Sequence, residues 1–496
     1  MSSAEKAYFK RFGYKSGARQ VAYSRLFDAM AKMAAYDDAV LRSQFSGKSG
    51  FGSWSAAKNH LQRQVLHTLV DFNAGKSTED RLLQGQREAW LLLNRGLDQL
   101  AERRLIAIRK TLGTEEEPRL EPFLLQMEGM LIPYTEADFP KRMELLAAES
   151  ANAMQLVSLS DYRSLYARMT QIVSRWGVIV REPQHVQEVE TLLAEPLLQA
   201  EDAAHGFAAK YLLHSTNKIL NQVLCRYESA LLHAQRTVRL FERYPAERDR
   251  QPEQYIMALN NLLIDFVGLH RYHEFDEVCR LLNGFLQALP SGRLKDESLV
   301  NLLGRQLYRR LAAREYDAAL VLAQTLEKDM DRFRHQPHID IQHQYLVASC
   351  YAYNERFPDA LARLVLLLQH PQLGEHREYH AFAFILNLIV HLELGNHEHL
   401  AHARASVDRM LYKQGTRFAV EREILRLLKR LERLLPETHD QKTAYQTALT
   451  AMQGFQADPY ERHAFHYFDF ILWLESRLAN QGMRETANRL GRSAAG

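Results

Sequence analysis

Tyr227-Glu-Ser-Ala230-Leu231, Phe275-Asp-Glu-Val278-Cys279, Tyr316-Asp-Ala-Ala319-Leu320 and Phe357-Pro-Asp-Ala360-Leu361 carry one pattern four times. An aromatic residue is followed, three and four positions on, by a small or apolar pair. The aromatics stand 48, 41 and 41 residues apart, and a fixed period in this range marks a stacked repeat array. A fifth unit, Gly395-Asn-His397-Glu-His-Leu400, follows 40 residues after Phe357. The spacing has a physical logic. The aromatic fills the junction where two antiparallel helices meet at a turn. The alanine, nearly one helical turn on, lets the helices approach, and the leucine points into the same core. No unit can bury its apolar face alone, so neighbours stack.

Outward from the repeats, helix signals dominate. Gly (23) and Pro (14) are sparse and fall between periodic segments, where they act as breakers. No stretch alternates with period 2, so no substantial sheet is expected. Leu82 to Leu93 and Leu97 to Leu112 flank the turn Asn94-Arg-Gly96. Helices are expected to end before Tyr244-Pro245 and Leu289-Pro290, and Gly268 and Gly395 fall in inter-helix turns. Pro118, Pro122, Pro133, Pro140, Pro183 and Pro196 obscure the register between 115 and 210.

Toward the N-terminus, Ser2-x-x-Glu5 has the spacing of a capping box. Tyr23, Leu26, Phe27, Met30 and Met33 line one helical face, and Leu61, Val65, Leu69 and Phe72 another. Residues 45–53 read as a loop and 73–78 as a linker. Toward the C-terminus, Ile424, Leu428, Leu431 and Leu435 share a face. Phe465-His-Tyr-Phe-Asp-Phe-Ile-Leu-Trp-Leu474 is apolar nearly all round, which predicts burial on more than one side, closing the array or joining a partner. The expected division is a basic helical module at 1–75, a repeat array at 76–440, capping helices at 441–482 and a frayed tail at 483–496.

With 496 residues, 46% hydrophobic and 25% charged, the chain has the composition of a folded protein. Its net charge of +3 names no polyanionic partner. The distribution is uneven, because residues 1–70 hold eleven Lys or Arg against four Asp or Glu. That is +7, leaving −4 for the remainder. Cys225, Cys279 and Cys350 are scattered through helical patterns and read as small core residues. No C-x-x-C pair supports a zinc ribbon or redox site. No secretory h-region opens the chain, and the longest apolar runs fall far short of the ~20 residues of a membrane span. A cytoplasmic protein without membrane contact is expected.

The pattern resembles a divergent tetratricopeptide repeat, whose second helix begins Gly-Asp-Tyr-x-x-Ala-Ile or Leu. Val347-Ala348-x-x-Tyr351 followed by Phe357-x-x-Ala360-Leu361 matches both helices; elsewhere the second-helix half alone fits. The period of 40 to 48 exceeds the usual 34. Ser3-Ala-Glu-Lys-Ala-Tyr-Phe-Lys10, with Leu26-Phe-Asp-Ala29 and Ala57-Lys-Asn59, is also similar to the N-terminus of uncharacterised bacterial helical-repeat proteins. The resemblance implies an all-α, tetratricopeptide-like right-handed superhelix of antiparallel helix pairs.

Local catalytic signatures are thin. Gly47-Lys48-Ser49 and Gly75-Lys76-Ser77 imitate the end of a phosphate loop, but Arg42 and Val70 stand where its first glycine belongs. His376 with His380, His399 with His402, and His463 with His466 have ligand-like spacing, yet a metal needs three or four converging ligands. No Gly-x-Ser-x-Gly motif points to a nucleophile. No catalytic residue, cofactor or metal is therefore expected. The expected function is a noncatalytic scaffold holding a peptide or partner protein along the first-helix face. The candidate contacts are Asn217, Asn221, Asn260, Asn261, Arg305, Arg309, Gln344, Asn387 and His391, which can hydrogen-bond a ligand backbone or carboxylate. The alternative is a regulator that contacts nucleic acid through Lys6, Lys10, Arg11, Lys15 and Arg19, interleaved with Tyr8, Phe9, Phe12 and Tyr14. Against it, such aromatics also pack a module while the charges stay solvated.

Overall fold

The structure is a computed structural model. It describes all residues except 13–17, 34–35, 46–52, 77, 113–120, 181, 331–335, 416, 435–438 and 495–496. The side chains of 12, 18–22, 78–79, 112 and 491–494 also fall outside the description. Helices make up 84% of the described residues, which hold no strand, so the protein is all-α. Two compact units, Met1–Leu156 and Val157–Gly496, divide it. The division falls within the long helix Phe139–Trp176.

In the first unit the capping box forms as the sequence suggests. The Ser2 amide donates to Glu5 Oε2 at 2.5 Å and the Glu5 amide to Ser2 Oγ at 3.2 Å. Phe9, Leu26, Phe27, Leu41 and Leu61 make one small core; Leu82, Ala89, Leu105, Ile108, Leu124 and Met127 make another.

The second unit contains five helical hairpins in chain order. They are Gly206–Val223 with Tyr227–Arg243, Pro252–Gly268 with Tyr272–Ala288, Arg293–Ala312 with Tyr316–Asp329, Pro337–Tyr353 with Phe357–Leu368, and Arg377–Glu393 with His397–Gln414. One turn joins every pair. Its second-last residue before the new helix adopts φ > 0: Cys225 (56°), His270 (56°), Arg314 (59°), Glu355 (58°) and Gly395 (72°). The next amide then reaches back five residues, as in Arg226 to Asn221, Arg271 to Phe266, Glu315 to Arg310, Arg356 to Tyr351 and Asn396 to His391. This is the Schellman closure, which satisfies carbonyls that a helix end leaves bare. The Gly96 turn of the first unit repeats it, with φ 68° and Leu97 N–H on the Leu92 carbonyl.

The turns correct the repeat register in the second hairpin. Its helix opens at Tyr272, so Tyr272 is the counterpart of Tyr227, Tyr316 and Phe357. Phe275 occupies the position of Ala230, Ala319 and Ala360, and all four are buried. A bulky ring there stood out in the sequence and hid the tyrosine three residues before it. Cys225 also differs from expectation: it is buried, but in a turn rather than within a helix.

Successive first helices of the second to fifth hairpins touch one another, and each second helix touches the first helix that follows it. Four of the prolines that obscured the upstream register, Pro122, Pro140, Pro183 and Pro196, stand in the first two positions of helices. Pro183 and Pro196 stand at the first helical position, as do Pro252 and Pro337. There the missing amide hydrogen costs nothing. The segment expected to fray is helical over Met483–Ala494. Met483 and Ala487 join the core, and Glu355 Oε1 accepts the Met483 amide at 2.8 Å. The expected boundary at 440 lies inside the helix His439–Ala457.

Candidate interaction groove

The C-terminal region folds back across the turn ends of all five hairpins. Within segment 458–469, the Glu461 carboxylate accepts the amides of Ala419 (3.1 Å) and Val420 (3.2 Å) and so caps the helix Ala419–Leu431. Arg462 donates to the Cys225 carbonyl at 3.3 Å and lies 5.0 Å from the Tyr227 ring centroid. His463 Nδ1 is 3.2 Å from the Tyr227 hydroxyl. Tyr345 donates to the Tyr467 carbonyl at 3.2 Å, and the Tyr467 ring stacks on Phe382 at 4.5 Å. Phe468 stacks on Tyr353 at 4.9 Å.

Asp469 is the hub. Its amide donates to the Tyr353 hydroxyl at 2.6 Å, its Oδ1 caps the helix Phe470–Ala479 through Leu472, and its Oδ2 takes Arg314 at 2.7 Å. Beyond it, Trp473 Nε1 (2.7 Å) and Arg477 (2.8 Å) meet the buried carboxylate of Glu393.

Four of the five positive-φ residues thus meet this C-terminal region. Cys225 offers its carbonyl, His270 shares a cavity wall with His466, Arg314 holds Asp469 and Glu355 holds Met483. None of the four is glycine. A side chain in the left-handed region costs roughly 1–2 kcal/mol; at Arg314 and Glu355 the side chain itself makes the contact, which offsets that cost. At the fifth turn the residue is Gly395, and the C-terminal helix is met by Glu393 instead.

Phe468, Phe470, Leu472 and Leu474 are fully buried on the array. At ~1.5–3 kcal/mol each, they contribute about 6–12 kcal/mol. They share one continuous core with the last three hairpins, and Trp473, fully buried, is not an open surface.

The nine candidate contacts divide by environment. Asn217 and Asn221 are buried and donate to backbone carbonyls of Leu198, Leu213 and Asn217. Arg309 ties a turn, bonding Glu315 and Asp276 while lying 5.2 Å over Tyr272. His391 sits beside His399, with ring centroids 4.5 Å apart. Asn261 is half-buried. Asn260 Oδ1, Gln344 Oε1, Asn387 Oδ1 and Arg305 Nε are buried and without a protein partner. Asn260 shows why: its amide nitrogen bonds the Ile256 carbonyl at 2.9 Å, one turn back, leaving the oxygen over. Arg305 is 6% exposed, and no described carboxylate forms an ion pair with it.

In the N-terminal module Phe9 is buried, Tyr8 packs on Phe72 at 5.1 Å, and Lys10 pairs with Asp28 at 2.6 Å. Arg11 is exposed and Lys6 half-buried. Lys15, Tyr14, Gly47-Lys48-Ser49 and the side chains of Phe12 and Arg19 lie outside the described residues.

Two features escaped sequence reading. His214 and His233 face each other with Nδ1 atoms 3.4 Å apart, and burial pushes both down to about 4. Spaced 19 residues apart on different helices, they leave no local motif. Segment 458–469 likewise shows no pattern that would place it on turns 155 to 237 residues upstream. Among the described residues no three His, Cys, Asp or Glu side chains converge as a metal site would require, and no helix is long and apolar enough to cross a membrane. No protein-family model and no curated protein matches the chain.

Proposed function

We propose that the protein is a noncatalytic interaction scaffold, a tetratricopeptide-like right-handed superhelix that holds an extended polypeptide along its first helices. The observation that carries this reading is the set of unpaired polar atoms on four successive first helices: Asn260 Oδ1, Arg305 Nε, Gln344 Oε1 and Asn387 Oδ1. A buried polar atom without a partner costs about 1–3 kcal/mol. Amide oxygens accept from peptide N–H groups, and a guanidinium donates to a carbonyl or carboxylate. An extended chain presents both in alternation.

The test is affinity capture with Asn260→Ala, Gln344→Ala and Asn387→Ala combined. The expected result is loss of the partners captured by the wild-type chain at an unchanged melting temperature. Retention of every partner would overturn the reading. In the N-terminal module, the Lys10–Asp28 pair and the packed Tyr8 and Phe9 favour a structural role over nucleic-acid contact.

A further inference from the structure

A cavity of about 550 Å3 lies between the turn ends of the first four hairpins and the C-terminal segment. That volume is in the range of small-molecule sites, roughly 300–1,000 Å3. Its wall has two characters. Val267, Leu269, Leu311, Leu346 and Phe465 make an apolar side. Tyr227, Tyr308, Ser349 and Arg462 make a polar side. Arg462 Nε and Ser349 Oγ are buried there without a hydrogen-bond partner.

The charges decide the ligand. Arg314 and Asp469 both line the cavity and neutralise each other at 2.7 Å. Arg462 donates to the Cys225 carbonyl, and no described carboxylate forms an ion pair with it. Three first helices end at the cavity, at Gly268, Ala312 and Tyr353, and bare C-terminal carbonyls oppose an anion. The turns take up part of that set: His270, Arg271, Arg314, Glu315, Glu355 and Arg356 donate their amides to Val267, Phe266, Leu311, Arg310, Ala352 and Tyr351. The uncompensated charge left on the wall is the guanidinium of Arg462.

We propose that this cavity binds a small organic acid, with its carboxylate on Arg462 and its apolar body against Leu311, Leu346 and Phe465. Arg462 and Phe465 belong to the C-terminal segment, Leu311 and Leu346 to the hairpins. The ligand would touch both and fasten one to the other, so binding would raise thermal stability. This site is separate from the polar row on the first helices and stands or falls independently of it.

Isothermal titration of the full-length protein at neutral pH tests the proposal, with 4-phenylbutyrate as the acid and 4-phenylbutanol as its uncharged counterpart. The acid should bind at least tenfold more tightly than the alcohol. Arg462→Gln should bring the acid down to the level of the alcohol. Ala312→Trp keeps Arg462 but fills the space, and should abolish binding of both. Circular dichroism checks that each variant is folded, and either variant alone suffices to decide. Absence of acid binding, equal binding of acid and alcohol, or binding insensitive to the folded variants would overturn the proposal.

Discussion

The first three hairpins and the last two meet the same C-terminal region in different ways. Across Tyr227, His270 and Arg314 the contacts are polar and run beside a cavity whose wall extends to Leu346, Ser349 and Tyr353 of the fourth hairpin. Across Tyr345, Tyr353 and Phe382 they are stacked rings and fully buried apolar side chains continuous with the hairpin core. One turn geometry therefore serves two purposes. Where the covering chain is Arg462-His463-x-x-His466, the groove keeps an opening; where it is Phe468-Asp469-Phe470 and Trp473, the groove is sealed.

The largest effect should come from the sealed end. Trp473→Ala removes a fully buried ring and leaves Glu393 with Arg477 alone. It should destabilise the protein by about 3–5 kcal/mol, measured by denaturant unfolding. Asp469→Ala comes next. It deletes a helix cap and the partner of Arg314, for about 2–4 kcal/mol, whereas Asp469→Asn keeps the cap and should lose about half as much. Ala319→Trp and Ala360→Trp, each at a fully buried position, should cost ~1–3 kcal/mol or more by overpacking. Unchanged melting temperatures for both would show that the turn register is wrong.

Smaller effects should mark the open end. Cys225→Gly relieves a left-handed backbone while losing a buried thiol, and keeps the carbonyl that Arg462 uses. The two changes should nearly cancel, within about 1 kcal/mol of wild type. Acid touches both ends. Burial pushes His214 and His233 down to about 4 and His343 to about 3. The fold favours the neutral rings, so their contribution is complete above the ordinary histidine range near 6.5 and is lost as pH falls through about 4. A melting temperature that stays flat from pH 7 to pH 4 would contradict this.

The helical hairpins were legible in sequence because aromatic-x-x-Ala is a packing solution that three of the five hairpins share. The turns were not. A Schellman turn is recognised by its glycine, and here Cys225, His270, Arg314 and Glu355 take that place. At Arg314 and Glu355, side-chain contacts with the C-terminal region, far along the chain, offset the backbone cost. The same distance in sequence hid the cavity, whose walls come from residues 227–353 and 456–469. The candidate groove was half legible. Asn260, Arg305, Gln344 and Asn387 carry unpaired polar atoms. Asn217, Asn221 and Arg309 are spent on carbonyls and carboxylates that no local pattern reveals.

The central claim is that the C-terminal segment is part of the sealed end rather than a displaceable cover. Amide hydrogen exchange of the wild-type protein tests it most directly. The amides of Phe470 to Leu474 should exchange in the same slow class as those of Val347 to Tyr353 in the hairpin beneath them. Exchange of 470–474 on the fast timescale of a loosely held segment, with 347–353 still protected, would contradict the account.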